Sequence, residues 1–131
     1  MPNRWAYPPA HIITQVSRYQ PGAYDRVWRA LQAAAQYPGA ELTSWYRDPA
    51  RNARVGGALT SQHQLGLALD LYAANLGELA AHMRAAVPEG RVILEERPPH
   101  VHFQALPSLS AAARGLAALL PGGALARQAR R

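Results

Sequence analysis

The sequence predicts one α+β domain, a small antiparallel β-sheet with helices packed on it. Three observations carry this. Stretches with a helical apolar stripe, Ala23–Gln36 and Leu76–Ala86, interleave with short β-prone stretches, Glu41–Tyr46, Leu67–Tyr72, Arg91–Glu95 and His100–Gln104. The last two flank Arg97-Pro98-Pro99, a connection of hairpin length. The 131 residues suit a single domain and can bury a core without disulfides. A mixed order of this kind favours an antiparallel sheet over repeated strand–helix–strand units.

In chain order, residues 1–11 read as irregular around Pro2, Pro8 and Pro9, with Trp5 and Tyr7 packing down as a small apolar lid. His11–Val16 reads as a short strand because it is rich in β-branched residues. Pro21-Gly22 turns the chain into a helix over Ala23–Gln36. Val27, Leu31 and Ala34 or Ala35 form its stripe, Tyr24 and Trp28 widen it, and Pro38-Gly39 ends it. Glu41–Tyr46 is a strand, Arg47-Asp48-Pro49 a turn, and Ala50–Ser61 a loop with paired glycines at Gly56-Gly57. Leu67–Tyr72 is an inner strand whose one charged member is Asp70. Asn75 caps a helix ending near Ala86, with Leu76, Leu79, Ala80 and Met83 on its buried face and His82 on its surface. The proposed domain is residues 1–107. Residues 108–131 read as a C-terminal helix with Leu109, Ala112, Leu116 and Leu119 on one stripe, then a basic tail holding Arg127, Arg130 and Arg131.

Composition excludes several chemistries. With no cysteine there are no disulfides, no thiolate metal ligands and no cysteine nucleophile. The net charge is +6 and all 14 basic residues are Arg, which favours a negatively charged partner such as an anionic wall polymer or membrane surface. Helix-turn-helix and aromatic RNA-binding patterns are missing, so nucleic acid is not the expected partner. A monomer is expected. No apolar run approaches the ~20 residues of a membrane span. The N-terminal stretch lacks the apolar region of a signal peptide. The expectation is a protein made in the cytoplasm that reaches any extracytoplasmic target by another release route.

The chemistry concentrates in two stretches. Leu59–Leu71 carries Ser61, His63, Gly66 and Asp70 in the pattern S-x-H-x-x-G-x-A-x-D, and Val92–Gln104 carries His100-Val101-His102. Residues two apart on a strand share a face, so His100 and His102 can look into one pocket. One of them can bind a metal while the other handles protons or holds a substrate. With His63 and Asp70 this gives two nitrogens and one oxygen, leaving the open position that a catalytic zinc site requires. An aspartate on an inner strand is also unfavourable unless it pairs or binds a cation.

Three stretches taken together resemble a known family. Thr43-Ser44-Trp45-Tyr46-Arg47 with Asn52 and Val55-Gly56-Gly57-Ala58, then Ser61–Asp70, then Glu96 with His100-Val101-His102, are similar in order and pattern to the zinc D-Ala-D-Ala carboxypeptidases and peptidoglycan endopeptidases of the M15 group, whose fold hedgehog domains share. The resemblance implies zinc on His63, Asp70 and His102, with Glu96 as the general base and Glu95 as its rival. It further implies His100 beside the metal, Arg47 supporting a carbonyl or oxyanion, and Asn52 and Ser61 lining the substrate site, with Ser61 orienting His63 or its loop rather than attacking. The Glu spacing departs from the usual carboxypeptidase pattern, since Pro98 and Pro99 stand where that pattern has Glu. The implied activity is hydrolysis of amide bonds in peptidoglycan stem peptides, either as a phage-type lytic endopeptidase or as a D-Ala-D-Ala carboxypeptidase. The alternative is a non-catalytic metal-containing binding or virion module of the same fold.

Overall fold

The computed structural model describes residues 6–58 and 60–107. In chain order the elements are α1 (Ala10–Tyr19), α2 (Ala23–Gln36), β1 (Glu41–Ser44), the short helix α3 (Pro49–Arg54), a 3₁₀ turn (Gln62–Leu65), β2 (Ala68–Tyr72), α4 (Leu76–Ala86), β3 (Arg91–Glu96) and β4 (Pro99–Gln104). The four strands form one antiparallel sheet in the order β1-β2-β4-β3. The α+β class read from the sequence is the fold found. Trp5 and residues 108–131, including the expected tail helix and basic cluster, lie outside the described residues.

The sheet register decides what each face does. Leu69 pairs with Phe103 and Leu71 with Val101, and Phe103 pairs with Val92 on the other side. Directly paired residues share a face, so these side chains form one apolar surface. Leu69, Leu71, Val101 and Phe103 are fully buried in a core that also holds Val27, Ala30, Leu79, Ala80 and Met83 from α2 and α4. The opposite face carries Asp70 paired with His102, Ile93 paired with His102, and Glu95 paired with His100. One face of the sheet therefore holds the fold together while the other displays the polar residues.

Two elements depart from the sequence expectation. Residues 11–16 belong to helix α1, not a strand. Ile12 and Val16, one helical turn apart, are both buried. Burying such side chains is worth about 1.5–3 kcal/mol each, whereas β-branched residues disfavour a helix by less than ~0.7 kcal/mol each. Burial therefore decides. The expected loop after Pro49 begins with α3, which has no apolar stripe. Its start is local: the Asp48 carboxylate accepts from the Arg51 backbone N–H at 2.8 Å, and Pro49 occupies the first helical position.

Smaller corrections concern side chains. Trp28 does not widen the α2 stripe but stands 60% exposed, while Tyr24 does turn inward and donates to the Leu65 carbonyl at 2.7 Å. Tyr7 packs its ring edge-on to Trp45 but is itself largely exposed. His82 is half-buried rather than on the surface, and its Nε2–H donates to the Ala33 carbonyl at 2.7 Å. Asn75 caps α4 by accepting from the Glu78 N–H at 3.0 Å.

The 3₁₀ turn ends at Gly66, whose φ of 69° is left-handed and whose missing side chain admits the Pro8 ring: a Cβ there would lie 2.5 Å from Pro8. Gly56 has a similar φ of 74° but open space around it. Gly56→Ala is expected to lose only the left-handed penalty of roughly 1–2 kcal/mol. Gly66→Ala adds the clash with Pro8 and is expected to lose clearly more, measured by urea unfolding of the metal-free protein. Equal losses for the two would show that the Pro8 contact carries no weight.

Candidate metal centre

Trp45 and Arg47, just beyond β1, clamp the 3₁₀ turn. The Trp45 indole N–H donates to the Gly66 carbonyl at 2.8 Å, the Trp45 carbonyl lies 2.6 Å from His63 Nδ1, and the Arg47 backbone N–H donates to the His63 carbonyl at 3.0 Å. Ser61 starts the turn, its hydroxyl accepting from the His63 N–H at 3.2 Å. His63 is thereby held on a buried turn facing the polar side of the sheet. Asp70 enters from β2 and His100 and His102 from β4, its neighbour. Thr43 Oγ1 donates to the Asp70 carbonyl at 3.1 Å, tying the aspartate's backbone to β1 beside a break in the β1–β2 register.

The side chains converge on one atom. Asp70 Oδ1 lies 3.0 Å from His63 Nε2, 3.1 Å from His102 Nδ1 and 3.4 Å from His100 Nε2. The other nitrogen of each ring fixes what that convergence means. His63 Nδ1 faces the Trp45 carbonyl and His100 Nδ1 faces the Pro98 carbonyl, the latter at 2.6 Å. A carbonyl only accepts, so these nitrogens carry the ring protons. His102 Nε2 lies 2.9 Å from the Gln104 side-chain oxygen and donates to it. In their neutral forms all three rings therefore aim a lone pair at the carboxylate oxygen. Four acceptors facing one point repel unless a proton or a metal ion lies between them.

Titration behaviour has the same origin. Burial works to raise the Asp70 carboxyl, but hydrogen bonds to His102 and His63 and the charges of His63 and His100 outweigh it and hold it well below the usual carboxylate range. Burial pushes the His63 ring toward the neutral form against its contact with Asp70. For His102, burial is outweighed by hydrogen bonds with Asp70 and Gln104 and by the nearby charges of Asp70 and Glu95, so its proton affinity rises. Arg47 reaches the second oxygen of Asp70 at 3.4 Å, its own charge opposed by burial and by Arg51 and favoured by Asp70.

These residues fit a metal. His63, Asp70 and His102 each offer one ligand atom, and the three atoms lie within 4.8 Å of one another. Ligands about 2.0–2.1 Å from a tetrahedral zinc stand roughly 3.4 Å apart, close to the 3.0 and 3.1 Å from Asp70 Oδ1 to the two ring nitrogens. Nitrogen and carboxylate donors in a three-ligand set match catalytic zinc sites, and the outward hydrogen bonds of the rings are the supporting contacts such ligands usually have.

The other residues singled out by sequence fall in different places. His100 is adjacent to the trio, and Arg47 is braced on Asp70. Asn52 is 1% exposed and its amide donates to the Ala58 carbonyl at 2.9 Å, so it braces the 55–58 loop from within rather than lining an open substrate site. Gly57 leaves the room this amide fills, since a Cβ on it would lie 2.1 Å from Asn52 Oδ1. Glu96 pairs with Pro99 and takes the face opposite to the three histidines, while Glu95, paired with His100, takes theirs. The register thus sets the rival Glu95, not Glu96, on the sheet face that carries His100 and His102. Sequence reasoning missed Trp45 and Gln104. A carbonyl leaves no signature in a residue name, but the alternation His100, His102, Gln104 along β4 puts the glutamine on the ligand face.

The sequence profile of the family described as Peptidase M15 matches residues 9–104. The chain belongs to the M15 peptidase family. The match spans α1 through the end of β4, and so contains every residue of the centre. No curated protein and no solved structure matches the chain. Membership makes this a metallopeptidase fold of a zinc-dependent family, in agreement with the His–Asp–His group. Among the described residues no helix is long and apolar enough to cross a membrane.

Zinc at about 100 times its dissociation constant stabilises a folded protein by about 2.7 kcal/mol. The melting temperature of the M15 chain is therefore expected to rise by several degrees with zinc and to fall back with a chelator. His63→Ala, Asp70→Ala and His102→Ala should abolish the rise in differential scanning calorimetry, whereas His100→Ala should keep most of it. Loss of the rise in His100→Ala alone would move the ligand set to β4's other histidine.

Proposed function

We propose that this M15 chain is a zinc peptidase that hydrolyses amide bonds of peptidoglycan stem peptides, acting on the wall as a lytic endopeptidase. The observation that carries the metal-dependent part is the convergence of three imidazole lone pairs and one carboxylate on a single point beside an arginine. Family membership supports the amide substrate. The resemblance to peptidoglycan enzymes and the net charge of +6, suited to an anionic wall, support its source.

A zinc ion held there supplies Lewis acidity toward a carbonyl and acidifies water. The chain supplies the rest. His63, Asp70 and His102 hold the ion. Glu95 is the proposed general base, in place of Glu96: the hairpin register supports it through its pairing with His100, and its charge reaches His102. It takes a proton from water and returns it to the departing amine. His100 Nε2 lies at the edge of the ligand set, where it can hydrogen-bond the developing oxyanion once protonated or assist the base. Arg47 steadies Asp70 and keeps a positive charge beside the reaction centre.

The test is incubation of the protein, with zinc or with chelator, with purified peptidoglycan and with a peptide ending in D-Ala-D-Ala, products read by mass spectrometry. New amino termini inside the stem are expected, and their loss with chelator. Release of D-Ala alone would indicate a carboxypeptidase, and zinc binding without cleavage of either substrate would indicate a non-catalytic module. Removing a general base lowers turnover about 10²–10⁴-fold. Glu95→Gln should show such a loss with zinc binding intact, and Glu96→Gln should stay within a few-fold of wild type. The reverse pattern would return the role to Glu96.

A further inference from the structure

His102 has two ring nitrogens, and either can serve as a ligand. Which one does depends on where the other finds a hydrogen-bond acceptor. Here the acceptor is the side chain two residues on. Gln104 Oε1 lies 2.9 Å from His102 Nε2, leaving Nδ1 turned to Asp70 at 3.1 Å. The glutamine's own orientation is not free. Its Nε2 sits 3.0 Å from the Leu106 carbonyl and 3.0 Å from the Pro107 carbonyl. Both are acceptors, so the NH₂ must face them and the oxygen must face the histidine.

Those carbonyls are themselves fixed. Buried Gln62, the residue before His63, brackets Leu106. Its Nε2 donates to the Leu106 carbonyl at 2.6 Å and its Oε1 accepts from the Leu106 N–H at 3.1 Å. One residue earlier, the Ala105 N–H donates to the Leu67 carbonyl at 2.8 Å, extending the pairing of β4 with the start of β2. A continuous chain of hydrogen bonds thus runs from the turn bearing one ligand, through the backbone leaving β4, to the ring of another ligand.

We propose that Gln104 is a positioning residue that fixes His102 in its Nε2–H form and so makes it an Nδ1 ligand, with the Leu106 and Pro107 carbonyls holding the glutamine in the required orientation. This rests on the metal-centre reading, and its first consequence is which ring nitrogen of His102 keeps the proton when the ion is bound. A polar side chain kept only for packing would leave the histidine's tautomer unselected. Gln104 favours the Nε2–H form against the competing Asp70 carboxylate, and metal affinity follows because that form turns its lone pair to the ion.

The experiment uses the full chain with ¹⁵N-labelled histidine. In zinc-loaded wild type, where the ion takes the place of a proton between Asp70 and the rings, His102 is expected to carry its proton on Nε2, read from its imidazole nitrogen shifts. Gln104→Met keeps the length and removes both amide functions. It should lose the tautomer preference and weaken zinc binding about 10–100-fold, the usual effect of removing such a support, measured by competition with a chelator. Gln104→Glu keeps the acceptor and should hold the Nε2–H form with zinc affinity within a few-fold of wild type. Gln62→Ala, which loosens Leu106 without touching the ring, should lower the melting temperature yet leave the tautomer in place. An Nδ1–H ring in wild type, or a Gln104→Met protein with unchanged tautomer and affinity, overturns the proposal. If Gln104→Met does not fold, the wild-type nitrogen shifts decide, an Nδ1–H ring counting against. Absence of zinc uptake by wild type overturns the metal centre and the proposal with it, and is told apart because the unsubstituted protein is then silent.

Discussion

Everything in this domain answers to the carboxylate of Asp70. It sits at the middle of an inner strand, between Leu69 and Leu71, where an unpaired charge would be strongly unfavourable. The surrounding structure compensates it from every side: two imidazoles from β4, one from the 3₁₀ turn and a guanidinium from beyond β1. None of these partners is close in sequence to all the others. The fold can be understood as the arrangement that brings them to one oxygen while the reverse side of the same strands builds the core.

That division of labour follows from the period of two along a strand. Leu69 and Leu71 face α2 and α4 while Asp70 between them faces the histidines, and Val101 and Phe103 alternate with His100 and His102 in step. Because the pairs Leu69–Phe103 and Leu71–Val101 are deeply apolar, a slip of one residue would bury the charged set and expose the core. The apolar face therefore fixes the register, and the register fixes which side chains can share a metal.

Much of this was legible in the sequence, for identifiable reasons. Helix α2 has a long, unbroken stripe, and the structure gives it the bounds that stripe predicts. The inner strand was visible through its apolar run, and Asp70 through being out of place in it. What was not legible depended on tertiary packing or on parity. In α1 the β-branched residues signal a strand, and only the burial of Ile12 and Val16 against the core overrides that. In α3 the signal was an Asp-Pro start with no stripe behind it. Choosing between Glu95 and Glu96 needs the hairpin's register, which two residues of turn set and no composition reveals. The clamp by Trp45 uses a backbone oxygen, which every residue has.

The strand order has a consequence for how long the centre stays assembled. β2 and β4 are the two interior strands, flanked by β1 and β3, and they carry Asp70 and His102 as direct partners. Edge strands fray in small local openings, whereas interior strands exchange their amide protons only through large cooperative ones. Fluctuations at the rim of the sheet leave the Asp70–His102 pair intact. Dismantling it means separating the two central strands of the sheet, so release of a bound ion through that route is governed by the protein's slowest opening rather than by its fastest.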